Sequence, residues 1–194
     1  MDIGEIRDTD ELDEVLRFVL SILPQLDNDE YRYSRDFWIE QLSETPALLL
    51  IARVGSALHG SVFGCVENNG VTVGHCCVDE AHRGHGVATA LMAEIERRAR
   101  DLGCKRITLG AAEGAEGFYA KLGYTGALLI QSEQHTIDEL RSFNRKYEVI
   151  GTNVYDGTVS QVWLRLPLVD RDFQKAYEEG LSGCNTHVTF GKDL

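Results

Sequence analysis

The sequence predicts an α/β fold, and three observations predict it. Through residue 123 a β-hairpin signal is followed by strand, helix, strand and helix in succession, as in an α/β layer. From Gly126 onward the order becomes strand, helix, strand, strand, helix, strand, the split β-α-β-β-α-β (ferredoxin-like) arrangement. The chain has 194 residues, 43% hydrophobic and 26% charged, which suits one globular domain with an appendage.

Ile3 to Arg7 makes a short first strand. Asp8 stands three residues before Glu11 in a capping-box-like start, and Leu12, Val15, Leu16, Val19 and Leu23 follow at helical spacing until Pro24 stops the helix. The segment NDEYRYSRDFWIEQLSE reads as a second helix, with Tyr31, Tyr33, Phe37 and Trp38 crowded at its start. Aromatics at that density pack a core or line a pocket, and these four are the candidate acceptor contacts. ALLLIARV is a buried strand. GSVFGCVEN and VTVGHCCV flank Asn69-Gly70, a strong hairpin signal, so Glu67 is expected opposite Thr72 and Gly64 opposite His75.

The next helix is expected to bury Val87, Leu91, Ile95 and Leu102, to leave Glu94, Arg97, Arg98 and Arg100 wet, and to end at Gly103. KRITLG is then a strand and GAEGFYAKLGY a short helix closing at Gly123. In the tail, ALLIQ, YEVIGTNVYD, VSQVWLRLPL and THVTFG are the strands, with helices from Thr136 and from Asp170 between them.

The start of the helix at RGHGVATALMAEIERRA is unusual. Gly84 and Gly86 weaken a helix, and its first turn holds no Asp or Glu. A strand, a short turn and a helix start gather unpaired amides at the positive end of a dipole, which is an anion site, and glycines let a phosphate approach. Arg83 adds a fixed charge. No GxxxxGK[ST] is present, and Gly84-His85-Gly86 lacks the third glycine and later acid of a dinucleotide fingerprint, which argues against Walker nucleotides and NAD.

Against 19 basic residues stand 31 acidic ones, a net charge of −12 that opposes nucleic acid and anionic membranes and steers in cations. Cys65, Cys76, Cys77, Cys104 and Cys184 are odd in number and form no CxxC, so reduced thiols and a cytoplasmic setting are expected. No metal is expected either. His75, Cys76 and Cys77 fail as a zinc set because strand neighbours face opposite ways, and His82 and His85 are read as the rim of the phosphate loop.

Arg83-Gly84-His85-Gly86-Val87-Ala88 resembles the R-x-x-G-x-G/A signature of GNAT-type N-acetyltransferases, and Gly117-Phe118-Tyr119-Ala120-Lys121-Leu122-Gly123-Tyr124 resembles that family's FYxKLGF segment. The resemblance covers residues 1–132 and leaves 133–194 as an extension, with strand 126–132 shared between them. It implies the GNAT acyltransferase fold, a twisted mixed sheet flanked by helices and splayed after Val78 and Leu109, and acetyl-CoA as co-substrate. It further implies that Cys76, Cys77 and Val78 hold the pantetheine arm. Arg83, Gly84, His85, Gly86, Val87, Ala88 and Thr89 would hold the phosphates, with Phe118 and Lys121 also at the cofactor. Tyr119 takes the position of the acid that protonates the thiolate, and the Val78 N–H that of the oxyanion donor. Ala112 stands where the family often has asparagine, a departure that touches cofactor seating.

The general base is open between His75, Glu67 and Asp79, with His75 preferred because its pKa range suits the task. The expected activity is acetyl transfer to a primary amine of a small molecule or peptide, by direct attack in a ternary complex. The competing reading is a non-catalytic acyl-CoA sensor. A homodimer through the C-terminal extension is the expected assembly.

Overall fold

A computed structural model describes residues 1–28, 32–67 and 69–194. Tyr31, among the expected acceptor contacts, lies outside the described residues, as does Asn68. The chain forms two compact units, residues 1–107 with Asp193–Leu194, and Thr108–Lys192.

In the first unit β1 (Asp2–Glu5) leads into α1 (Thr9–Ile22), a 3₁₀ turn at Pro24–Asn28, α2 (Arg35–Glu44), and the antiparallel ribbon β2 (Leu49–Val54), β3 (Ala57–Glu67) and β4 (Gly70–Val78). The strands lie in the order β1-β2-β3-β4. Asp8 caps α1 by accepting from the Glu11 N–H at 2.9 Å. Glu11 reaches back one residue further than a capping box requires, accepting from the Arg7 N–H at 2.8 Å. It is nearly buried, and hydrogen bonding from Arg7 holds its carboxyl below the usual range. Leu12, Val15 and Val19 turn inward onto Leu49, Ile51 and Phe63. The second helix begins at Ser34, whose hydroxyl accepts from the Phe37 N–H, rather than at the start of NDEYRYS.

The hairpin register differs from the expected one. Glu67 pairs with Gly70 and Cys65 with Thr72, so the turn closes one position earlier and Asn69 takes positive φ at 63°. A bulge then shifts the ladder between Phe63 and Gly64, with Gly74 as the extra residue, and it is Phe63 that faces His75. Asn at positive φ is a tolerated alternative to glycine, which is why the Asn-Gly pair did not fix the register.

α3 (Val87–Asp101) packs over this ribbon through Val87, Leu91, Met92, Ile95 and Ala99. A Cβ on Gly60 of β3 would meet Leu91 and Val87 at 3.0 and 3.1 Å, so glycine there sets how closely the helix approaches. Leu102, expected in the core, caps the helix and is 47% exposed, because the turn into Gly103 carries it past the buried stripe. Gly103 has φ 79°.

The division between the units falls within β5 (Arg106–Gly110). The second unit continues with α4 (Glu116–Lys121), β6 (Thr125–Ser132), α5 (Ile137–Phe143), β7 (Val149–Tyr155), β8 (Val159–Leu166), α6 (Arg171–Gly180) and β9 (Cys184–Asp193). Its strand order is β5-β9-β6-β8-β7, with antiparallel pairs β9–β6, β6–β8 and β8–β7. The last four strands and two helices thus have a split β-α-β order. Tyr177 of α6 is fully buried among Phe143 and Phe173 and donates to the Leu140 carbonyl at 2.9 Å. β7 ends the strand order and leaves Ile150, Val154 and Tyr155 exposed.

Candidate functional site

The end of β4 and the start of α3 carry the anion-binding geometry. Gly86 is the N-cap of α3 in the left-handed region at φ 84°, with no side-chain cap and no acidic residue in the first turn. Gly84 has φ 77°, and an added Cβ at either glycine meets nothing within 4 Å. A 15-residue helix therefore starts, at the positive end of its dipole, with no side-chain cap and beside two glycines whose Cβ positions are open. Arg83, His85 and Thr89 are exposed around this cradle, Ala88 is half-buried, and Val87 turns inward as the first core residue of the helix. The Arg83 Nε donates to the Val78 carbonyl at 3.3 Å, which holds the guanidinium beside the strand end.

Strand pairing also sets the direction of the Val78 amide. The Asp79 N–H donates to the His59 carbonyl at 3.0 Å, and Gly60 is opposite Val78. Successive amides alternate sides, so the Val78 N–H points away from β3. Cys76 and Cys77, the other strand-end residues, have thiols that burial pushes up to about 12, which leaves them protonated and inert as nucleophiles.

His75 occupies a different environment from that of a general base. It is 5% exposed and its ring stacks on Trp38 at 5.7 Å and 4°. Its Nδ1 lies 3.4 Å from the Tyr33 hydroxyl and its Nε2 3.2 Å from the Ser61 hydroxyl. Burial pushes its pKa down to about 3, so the ring stays neutral and has little affinity for a substrate proton. Tyr33 and Trp38 are core residues of the same cluster, and the Trp38 Nε1 donates to the Arg32 carbonyl at 3.0 Å. Both were expected to contact an acceptor; both rings are buried and lie against His75 of β4. Phe37 is half-buried, with its ring edge on Phe63, and lines a surface hollow with Ser34, Asp36 and Glu40.

The buried imidazole predicts a pH dependence. An unfolded histidine titrates near about 6.5 and this one near 3 when folded. Below about pH 6.5 the unfolded chain takes up a proton that the folded chain refuses. The stability is complete above that pH and drains toward about pH 3, by up to about 1.4 kcal/mol per unit. Urea unfolding at about pH 7.5 and about pH 5 measures the slope, and His75→Gln is expected to flatten it.

Glu67 sits beside the hairpin turn, accepts from the Thr72 hydroxyl at 2.9 Å and pairs with Arg32. It is at the opposite end of β4 from Val78. Asp79 is tied to His59 and His82, a cluster that sequence reasoning missed because His59 lies twenty residues earlier on the partner strand. In the second unit Tyr119 is 7% exposed, with Phe118, Tyr124 and Phe190 as ring neighbours at 5.0, 5.9 and 5.9 Å. Phe118 is half-buried and Lys121 exposed on the same short helix.

The profile of the acetyltransferase (GNAT) family matches residues 12–124, which include the strand end, the glycine cradle and the α4 segment. The chain belongs to the GNAT acetyltransferase family. An acetyltransferase of Yersinia enterocolitica is 31% identical over 87 residues, covering 43% of this chain and 62% of that protein. One from Pectobacterium atrosepticum is 32% identical with the same coverage. The chain therefore spans about three fifths of the length of these curated relatives.

Solved structures share the fold. A GNAT-family acetyltransferase from Staphylococcus aureus Mu50 superposes with a TM-score of 0.56 at 13% identity, covering 100% of this chain and 98% of that one. The PaiA N-acetyltransferase from Thermoplasma acidophilum, solved in complex with coenzyme A, gives 0.54 at 14% identity, covering 86% and 100%. The GNAT fold expected from the two motifs is thus present. Among the described residues no helix is long and apolar enough to cross a membrane.

Proposed function

We infer that this GNAT protein is an N-acetyltransferase that moves an acetyl group from acetyl-CoA to a primary amine of a small molecule or peptide, by direct attack in a ternary complex. The observation that carries this reading is the uncapped, glycine-flanked start of α3, whose amides suit a pyrophosphate and are satisfied by no side chain in the first turn. Acetyl-CoA, when bound, supplies an acetyl group activated as a thioester. Arg83 and the amides from Gly84 to Thr89 would hold its phosphates, and Cys76 to Val78 would line its arm.

The Val78 N–H, aimed away from β3, donates to negative charge developing on the acyl oxygen. By the family motif it shares, Tyr119 would supply the proton that the departing sulfur takes up. His75 is buried and neutral and Glu67 is at the far end of the strand, which leaves Asp79 or solvent to take the amine's proton. The net charge of −12 and the carboxylates of Asp36 and Glu40 beside Phe37 favour a cationic acceptor.

Residues 1–132 form the family portion in this reading and 133–194 an extension that shares β6. A second copy is expected to pair through β7, whose exposed Val154 and Tyr155 end the strand order. Light scattering should then give twice the 21.6 kDa of one chain, and Val154→Lys should return it to the single mass.

Turnover against a library of amines tests the chemistry. Tyr119→Phe is expected to lower kcat about 100-fold while leaving KM for acetyl-CoA within about twofold. Acetyl-CoA binding without turnover on any amine would favour the sensor reading.

A further inference from the structure

Outside the acyl-transfer residues, one group of side chains has the chemistry of a metal site. We propose that His59, Asp79 and His82 bind a divalent first-row d-block cation of the zinc type. The proposal does not rest on the acetyltransferase reading.

The three residues are brought together by backbone, from three pieces of chain. His59 lies on β3, Asp79 follows β4 directly, and His82 closes the 3₁₀ turn Glu80–His82. The Asp79 N–H to His59 carbonyl bond continues the strand ladder, which fixes the first pair. The Asp79 carboxylate caps the turn by accepting from the His82 N–H at 2.9 Å, which fixes the second.

The side chains then converge. The His59 Nδ1 is 2.8 Å from Oδ2 of Asp79, and the His82 Nδ1 is 2.6 Å from Oδ1. One ligand atom from each of the three residues lies within 4.8 Å of the others, and the two rings are 3.7 Å apart. Two imidazoles and one carboxylate are the donor set that borderline divalent ions prefer over the hard ions calcium and magnesium.

Without a metal, protons on the imidazole nitrogens bridge these contacts. Binding requires each imidazole to carry its proton on Nε2 instead of Nδ1, which frees the Nδ1 lone pair for the ion. Metal–ligand bonds of about 2.0–2.2 Å at tetrahedral angles put ligand atoms about 3.3 Å apart, so the two nitrogen–oxygen contacts open by roughly half an ångström while wider spacings within the 4.8 Å cluster close. The side chains of Asp79 and His82 are 27% and 38% exposed, which gives an ion entry and leaves it room for water. One carboxylate leaves the site with one net positive charge, offset by the acidity of the chain. A bound ion would brace the turn that leads into Arg83 and the glycine cradle.

Cobalt(II) titrated into metal-free full-length protein is the test, because its visible absorption reports coordination directly. The expected result is a band that saturates at one equivalent, disappears on adding one equivalent of zinc, and is lost in His59→Gln and His82→Gln but kept in His135→Ala. Zinc should also shift the imidazole nitrogen resonances of His59 and His82 in the unmutated protein, a readout independent of how the variants fold. A wild type with no saturable band overturns the site and leaves a hydrogen-bonded histidine-carboxylate clamp. A thiolate-to-cobalt band in the near ultraviolet, or a band that survives both substitutions, places the ion elsewhere and overturns it equally.

Discussion

Gly86→Glu is expected to weaken acetyl-CoA binding by about 100-fold or more, a loss of roughly 2.7 kcal/mol measured by calorimetry. The Cβ position at Gly86 is open, so the new side chain starts into free space. It brings a carboxylate to amides that no side chain caps in the native protein. An acidic group at the positive end of a helix is locally favourable, and it therefore competes with a phosphate for the same donors while repelling it. The backbone cost is separate: φ 84° at this position strains any residue other than glycine by about 1–2 kcal/mol. Gly86→Ala carries that strain without the charge, and it should keep most of the affinity. Equal losses in both variants would assign the glycine to conformation alone. Unchanged binding in Gly86→Glu would remove the anion site from the reading.

Trp38→Ala is expected to cost about 3–5 kcal/mol of folding stability, a large share of the roughly 5–15 kcal/mol typical of a domain. The indole is fully buried, stacked on His75, 5.5 Å from Phe63 and 6.2 Å from Tyr33, and its N–H is bonded to the Arg32 carbonyl. Truncation leaves a cavity and a less enclosed imidazole, and it removes the indole's bond to the Arg32 carbonyl. The His75 pKa should rise from about 3 toward its ordinary value, as followed by NMR titration. Urea unfolding supplies the stability. A variant of native stability that only loses affinity for an amine would return Trp38 to the acceptor contacts first expected of it.

Both substitutions mark where local sequence speaks and where it stops. Asp8, Ser34, Gly103 and Gly123 end or begin helices through bonds and dihedrals that involve a few neighbouring residues. The element order was legible for that reason, as were the empty first turn of α3 and the two motifs that place the chain in its family. The hairpin register was not, because Asn69 can adopt positive φ as Gly70 can, and the bulge at Gly74 is settled by how Phe63 packs against it. Leu102 has the periodicity of a core residue, and the helix end turns it outward.

The sequence by itself determined the fold class, the family and the uncapped, glycine-flanked start of α3, since each is written in contiguous residues whose backbone geometry and charge act over a few ångströms. Only the tertiary structure decided the roles of the side chains. His75 became a buried neutral ring under Trp38, and Tyr33 became its core partner. His59, Asp79 and His82 became one cluster across twenty-four positions. A side chain's pKa and its partners depend on burial and on strands distant in sequence, and residue type and spacing carry no record of either.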